Sequence, residues 1–410
     1  MAASGILIVG GGESGASAAR ALRENGWRGS LTLLGEEALP PYERPPLSKA
    51  ALTDEVAPSP VSILDPAQVL GWEIAAPLGV EVLAIDPRTH VATTRAHGEF
   101  AYDRLVLATG ASARRLSIPG GEFALNLRTF DDALLLRDRL RAGLRLVVIG
   151  GGFIGLELAA SARRRGAEVT VLESADRLLS RAVPSDLAGR LAARHRAEGV
   201  AVRLGCAPAR IGRAPEGYFV ELSDGERLTA DLVVAGIGSS PRTELAAAAG
   251  LAVENGIAVD GALQTSDADI FAIGDCCSFP HPLFGGKRLR LESWRNAQEQ
   301  GAFVARSVLG DTTAFEAVPW FWSDQYDWQL QIAGLPSEGA RTVRRDLGDG
   351  ASMDFALASD GRLVGMSALG SIEKIGRDAR IADKLIAARA TPDVPQLADP
   401  RSKLKALLAT

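Results

Sequence analysis

LVVIGGGFIGLELAASARRRGAEVTVLE, residues 146–173, decides the fold. Residues 146–149 are an apolar, β-branched run, the pattern of a strand buried on both faces. Gly150, Gly152 and Gly155 follow in G-x-G-x-x-G register. An apolar helix pattern comes next (Ile154, Leu158, Ala159, Ala162), then a second strand at residues 169–172 that ends in Glu173. This is the whole βαβ context of a dinucleotide fingerprint. Gly150 makes the tight turn, Gly152 lets backbone approach a pyrophosphate, and Gly155 lets helix and strand pack closely. The helix N-terminus offers N–H groups and positive dipole to the anion. Glu173 can accept from both hydroxyls of an adenine ribose and would repel a 2′-phosphate, so the expected dinucleotide is NAD(H) and not NADP(H).

Working outward, the start of the chain repeats the design. Residues 6–9 read as a strand, Gly10, Gly12 and Gly15 as the fingerprint, and residues 14–24 as an alanine-rich helix. A second strand at 31–34 runs into Glu36, the expected ribose ligand. Two complete fingerprints imply two dinucleotides. PPYERPPLSK at 40–49 is a stiff, extended loop. Lys49 is the only lysine before Lys287 in a chain that otherwise uses arginine. A lysine kept there suggests a need for a compact ammonium beside a flavin edge or phosphate. YDRLVLATGA at 102–111 and LTADLVVAGIGSSP at 228–241 are strands ending in small residues. Ala108, Thr109 and Gly110 in one, Gly236 and Gly238 in the other, suit close approach by a cofactor. DIFAIGDC at 269–276 ends in Gly274-Asp275, placing Asp275 to accept from a polyol. A helix is expected over 294–309.

The last hundred residues change character. PWFWSDQ at 319–325 concentrates aromatics in a chain with 5% of them. Strands are expected at 329–333, 353–358 and 363–369, with Asp360-Gly361 as a hairpin turn. A helix over 371–388 carries Lys374, Arg377, Arg380 and Lys384 on one side. At 410 residues two or three domains are expected. With 47% hydrophobic and 23% charged residues the chain reads as globular, and its net charge of -5 gives no support for general nucleic-acid binding. No apolar run reaches membrane-spanning length. Three cysteines with no C-x-x-C, and a start with no signal-peptide pattern, point to a reducing, cytoplasmic setting. Nothing in the pattern calls for a metal.

IVGGGESG, RPPLSK, RLVLATGA, VVIGGGFIGLE, DLVVAGIGSSP, FAIGDC, the ESW at 292–294 and PWFWSDQYD together resemble FAD-dependent NADH:ferredoxin reductases of the oxygenase-coupled family. The resemblance runs the length of the chain. It implies an α/β, glutathione-reductase-like fold: two Rossmann-type dinucleotide-binding domains plus a C-terminal α+β domain. It places an FAD domain at 1–112 and 243–318, an NAD domain at 113–242 and the third domain at 319–410. It further implies FAD contacts at Ser14, Glu36, Arg44, Lys49, Val82, Arg128, Asp275 and Trp294. It puts Glu157 near the nicotinamide amide, ion-paired with Lys49, and Trp320 or Trp322 near the flavin edge that faces the acceptor. The implied activity passes electrons from NADH through FAD to a [2Fe–2S] ferredoxin serving a cytochrome P450 or ring-hydroxylating oxygenase. The ferredoxin would dock near Arg295, Trp320, Lys374, Arg377 and Arg380, on a monomer or weak dimer. Alternatives are a rubredoxin reductase and an NADH-responsive signalling flavoprotein similar to apoptosis-inducing factor. A disulfide reductase would need a cysteine in the 40–49 loop, which has none. Cys276 and Cys277 are adjacent and Cys206 stands alone; buried thiols are the expected state.

Overall fold

The computed structural model describes residues 5–180 and 182–408. The chain divides into two compact units. The first is made of the residues up to Glu43, Pro60–Ser112 and Pro241–Phe321; the second is made of Arg44–Ser59, Ala113–Ser240 and the residues from Trp322 onward.

The first unit is built on a parallel sheet in the order Ile270–Ala272, Arg104–Leu107, Ile6–Val9, Leu31–Leu34. Ile6 is opposite both Leu31 and Arg104, so the strands end level and their C-terminal ends form one edge. All four residues of Ile6–Val9 are buried, as the unbroken apolar run requires of a strand covered on both faces. Helix Glu13–Glu24 follows, and helix Trp294–Val308 packs on it. Small residues permit that approach: a Cβ on Gly301 would lie 2.5 Å from the Ser14 carbonyl oxygen. An antiparallel meander (Val82–Asp86, Val91–Thr94, Glu99–Ala101) also belongs to this unit.

The second unit repeats the parallel order with Ala201–Leu204, Glu168–Glu173, Arg145–Ile149 and Leu232–Ala235. Helices Phe153–Arg164 and Ser185–Ala197 belong to it. Val147, Ile149, Leu172 and Val233 form one cluster with Ile211, Val220 and Leu222 of a three-stranded antiparallel meander. Each such side chain contributes about 1.5–3 kcal/mol when fully buried.

The terminal module is a five-stranded sheet in the order Trp320–Gln325, Trp328–Gly334, Leu363–Gly370, Ala351–Leu357, Arg341–Gly348, with helix Ile372–Ala387 against it. Every residue of Ala351–Leu357 and Leu363–Gly370 is buried. Arg345 is 1% exposed. It donates to the carbonyls of Asp399 at 2.7 Å and Ser402 at 2.5 Å, and pairs with Asp378 at 3.5 Å. The tail is thereby held by a buried guanidinium that finds carbonyl acceptors in place of water.

Candidate functional site

In the first unit the glycine loop sits at the C-terminal edge of the parallel sheet, where ligands of open α/β sheets bind. Gly10 has φ +125°, and a Cβ there would lie 2.0 Å from the Ala108 carbonyl oxygen. A Cβ on Gly15 would lie 2.0 Å from the Gly10 carbonyl oxygen, whereas one on Gly12 would meet nothing within 4 Å. The loop is therefore closed behind by strand and helix and open at Gly12, the cradle a diphosphate needs. Gly12 is the extended N-cap of helix Glu13–Glu24, and no side chain caps that helix.

Several sequence-predicted residues gather around this loop. Gly274 has φ +74°, and a Cβ there would lie 2.6 Å from Ser14 Oγ, so the Gly274-Asp275 turn rests on the first fingerprint. The Gly274 N–H donates to Gln300 Oε1 at 2.7 Å; Gln300 is fully buried and was not expected from the sequence. Its signal was only its place two turns after the ESW motif. Thr109 Oγ1 donates to the Arg242 carbonyl at 2.7 Å, and the Arg242 N–H donates to the Gly110 carbonyl at 2.9 Å. The Arg242 guanidinium also pairs with Glu36, a partner the sequence reading did not foresee. Val82 opens its strand half-buried, and Trp294 is the first residue of its helix, behind the Ser293 N-cap. Arg295 lies over the Trp320 ring at 5.2 Å and bonds Glu299 at 2.7 Å.

The second unit holds the other loop. Gly150 has φ +110°, and a Cβ there would lie 2.4 Å from the Gly236 carbonyl oxygen. A Cβ on Gly155 would lie 2.2 Å from the Gly150 carbonyl oxygen. Gly238 has φ +104°, which favours glycine at that turn. Glu173 accepts from the Gly151 N–H at 2.7 Å and from the Ala175 N–H at 2.8 Å. Its carboxylate is thereby held at the strand end, over the loop. Ile154 departs from the apolar helix pattern read from the sequence. It is 46% exposed, whereas Leu158, Ala159 and Ala162 of the same pattern are buried.

Lys49 and Glu157 come together in this unit. Pro45–Ser48 is a 3₁₀ turn, and the Lys49 ammonium at its end lies 3.2 Å from Glu157 and 3.4 Å from Asp324. It also lies 6.0 Å from the Trp322 ring centre. Glu157 is 4% exposed, on the second turn of the helix after the glycine loop. Its Oε2 accepts from Ser48 Oγ at 2.5 Å. Its Oε1 accepts from Ser323 Oγ at 2.7 Å and from the Asp324 N–H at 3.2 Å. A buried carboxylate so supplied with donors is compensated for lost water. Ser48, Ser323 and Asp324 carried no expected role, although each lies within a quoted motif. Arg44 donates to the Arg128 carbonyl at 2.5 Å, so these two expected residues also meet.

The basic helix divides by role. Lys374 is paired with Asp349 at 2.6 Å, while Arg377, Arg380 and Lys384 line a groove with Lys403 and Lys405. Cys276 and Cys277 are fully buried and free, and burial pushes both thiols up from the usual range. That disfavours the thiolate a disulfide exchanger requires.

Residues 4–301 match the family model "Pyridine nucleotide-disulphide oxidoreductase", and residues 320–408 match "Reductase C-terminal". The ferredoxin–NAD(+) reductase component of the anthranilate 1,2-dioxygenase system of Burkholderia cepacia is 41% identical, covering 100% of both chains. A rubredoxin–NAD(+) reductase of Pseudomonas putida is 42% identical over 80% of this chain and 86% of its own length. The reductase of the covalent putidaredoxin reductase–putidaredoxin complex superposes with a TM-score of 0.93 at 35% identity, covering 100% of this chain and 99% of that one. FAD and NAD(H) are the cofactors of such enzymes. The two glycine cradles fit them: each is open at its central glycine, closed behind by backbone, and followed at the strand end by an acid suited to a ribose. On this matched sequence and geometry, the chain belongs to the pyridine nucleotide-disulphide oxidoreductase family, and is an oxidoreductase related along its whole length to ferredoxin–NAD(+) reductases.

Proposed function

We propose that this protein is an NADH:ferredoxin oxidoreductase (EC 1.18.1 type) that delivers electrons to a [2Fe–2S] ferredoxin of an oxygenase system. The observation that carries the reading is the Lys49–Glu157 pair, buried at the helix that leaves the second glycine loop. When bound, the two cofactors supply hydride acceptance and its division into single electrons. The chain supplies position and electrostatics. Gly10, Gly12, Ser14 and Gly15 receive the FAD diphosphate, with Glu36 for its ribose. Arg44, Lys49, Val82, Ala108, Thr109, Gly110, Arg128, Gly274, Asp275 and Trp294 make the remaining contacts, and Trp322 borders the flavin. Gly150, Gly152, Ile154, Gly155, Gly236 and Gly238 receive the NADH diphosphate, and Glu173 its ribose. Glu157 orients the carboxamide of the nicotinamide, and Lys49 holds Glu157 and places positive charge beside the flavin.

By function we divide the chain into three: an FAD domain at 1–112 and 243–318, an NAD domain at 113–242, and an acceptor-facing module at 319–410. Arg295, Trp320, Lys374, Arg377 and Arg380 receive the acidic ferredoxin. No helix among the described residues is long and apolar enough to cross a membrane; we place the protein in the cytoplasm, as a monomer or weak dimer. A second reading, rubredoxin as acceptor, is supported by the relative at 42% identity.

NADH-driven cytochrome c reduction with added ferredoxins and rubredoxins tests both. Ferredoxin-dependent turnover is expected. Turnover with rubredoxin alone would move the assignment to the second reading, and a purified protein whose yellow colour does not bleach with anaerobic NADH would end both.

A further inference from the structure

The buried His195 has no part in the proposed function, yet it is 0% exposed and lies within a continuous line of hydrogen bonds that runs from Tyr326 to Glu157. Tyr326 OH is 3.1 Å from His195 Nδ1, and His195 Nε2 is 2.9 Å from Gln325 Oε1. Gln325 Nε2 donates to Ser323 Oγ at 3.1 Å, and Ser323 Oγ donates to Glu157 Oε1 at 2.7 Å. The partners set one direction. Gln325 uses its amide N–H toward Ser323, so its oxygen must accept from a His195 Nε2–H; Nδ1 then accepts from the phenol. Burial lowers the proton affinity of His195 and keeps Tyr326 protonated, which suits a neutral imidazole and a donating phenol. Each donor in the line points toward the Glu157 carboxylate, and aligned bonds polarise one another.

The far end is built with strain. Tyr326 has φ +61° in the two-residue turn between Trp320–Gln325 and Trp328–Gly334, a conformation that costs a residue bearing a Cβ. It is held there by His195, whose ring meets it edge-on at 5.1 Å, and by Arg194, over the ring at 5.1 Å and paired with Asp327 at 2.6 Å. The turn is thus clamped to helix Ser185–Ala197 at two consecutive residues.

We propose that His195, through Gln325 and Ser323, is a positioning residue for Glu157, fixing the donor on its Oε1, which Lys49 and the Asp324 N–H also meet, while Ser48 holds Oε2. This rests on the placement of Glu157 beside the nicotinamide. His195 does not touch either cofactor in this role and needs no proton transfer. It sets the aim of Glu157, and the remainder of the NAD site supplies affinity.

The test uses the FAD-loaded protein. His195→Leu and Gln325→Met are expected to lower the limiting rate of flavin reduction by NADH about 3–10-fold, the factor of one buried hydrogen bond. The calorimetric Kd for NAD+ should stay within about twofold. His195→Gln, which keeps a donor toward Gln325, should recover most of the rate. In a Glu157→Gln background His195→Leu should have little further effect. With ¹⁵N-labelled histidine, Glu157→Gln should move the His195 ring nitrogens and leave His90 and His97 in place. Because His195→Leu removes a buried ring, Gln325→Met and the ¹⁵N spectrum keep the idea testable if that variant does not fold. Additive effects of the two substitutions, or ring nitrogens indifferent to Glu157→Gln, would overturn the relay. If Glu157→Gln itself reduces flavin at the wild-type rate, the placement of Glu157 fails first; if it is slow while Gln325→Met is normal, only the relay fails.

Discussion

The two glycine loops share a backbone and differ in what surrounds them. In both, the first glycine has positive φ and its missing Cβ makes room for a carbonyl oxygen, of Ala108 in one and Gly236 in the other. After the third residue they part. The first loop continues with Glu13 and Ser14. Ser14 is buried against Gly274, and its helix is covered by helix Trp294–Val308. The second continues with Phe153 and Ile154, and Ile154 is largely exposed. The fingerprint therefore makes a diphosphate cradle, while neighbouring helices decide how enclosed it is. An enclosed cradle suits a resident group, and an open one suits a dinucleotide that must leave each turnover.

The largest effect should separate the loops outright. Gly10→Ala forces a Cβ onto the Ala108 carbonyl and is expected to yield colourless protein, since backbone cannot yield as a flexible side chain can. Gly150→Ala should instead leave the protein yellow and raise the NADH Kd by about 100-fold, on the order of 3 kcal/mol of strain. Loss of FAD from both variants would remove the distinction. Flavin absorbance after purification and NADH titration read the two outcomes.

Next in size is Lys49→Met. It leaves the buried Glu157 without its cation, and stopped-flow flavin reduction should slow about 10–100-fold. A wild-type rate would remove Lys49 from the NADH side of the comparison. Smaller again is coenzyme choice. Glu173→Gln should raise the relative use of NADPH by about tenfold, the worth of one repelling charge near a phosphate. Glu36→Gln should leave that ratio unchanged, because Glu36 serves the other loop.

The smallest effect is on stability against pH, and each unit contributes one histidine. Burial lowers the proton affinity of His195 in the second unit and of His281 in the first. The unfolded chain binds these protons below about pH 6.5, and the folded chain only at lower pH. Stability from each is thus complete above that value and falls as pH drops from there through the lowered folded value, by up to about 1.4 kcal/mol per pH unit. The Gln325 amide oxygen and Glu198 at the helix end oppose that lowering, Arg194 adds to it, and Tyr326 meets the ring edge-on. Urea unfolding at pH 7.5 and 5.5 should show a flatter profile for His195→Gln, with the His281 share remaining. An unchanged profile would show that His195 takes up its proton alike in the folded and unfolded chain.

Much of the site could be read before folding because its motifs are local. A glycine loop between a strand and a helix involves about ten consecutive residues, although the carbonyls that press on Gly10 and Gly150, those of Ala108 and Gly236, come from strands outside the βαβ unit. Lys49 stood out by contrast with an arginine-using chain. Ser48, Ser323 and Asp324 did not, because serine and aspartate are common near turns and nothing in one segment tells which distant carboxylate they reach. Ile154 was read within the apolar helix pattern: periodicity gives a helix face but not which of its residues are covered.

Residue order alone determined the two dinucleotide loops, their acids, the strand and helix succession and the terminal α+β module, since each follows from backbone sterics and hydrophobic period over short spans. Only the tertiary structure decided that Glu157 would be met by donors from residues 48, 323 and 324 as well as Lys49, that Glu36 would pair with Arg242, and that His195 would join the line to Glu157. Those outcomes depend on distant segments meeting: Lys49 and Asp324, 275 residues apart, lie 3.4 Å from each other beside Glu157. A hydrogen bond depends on angle and on a few tenths of an ångström, which packing sets and a linear pattern does not carry.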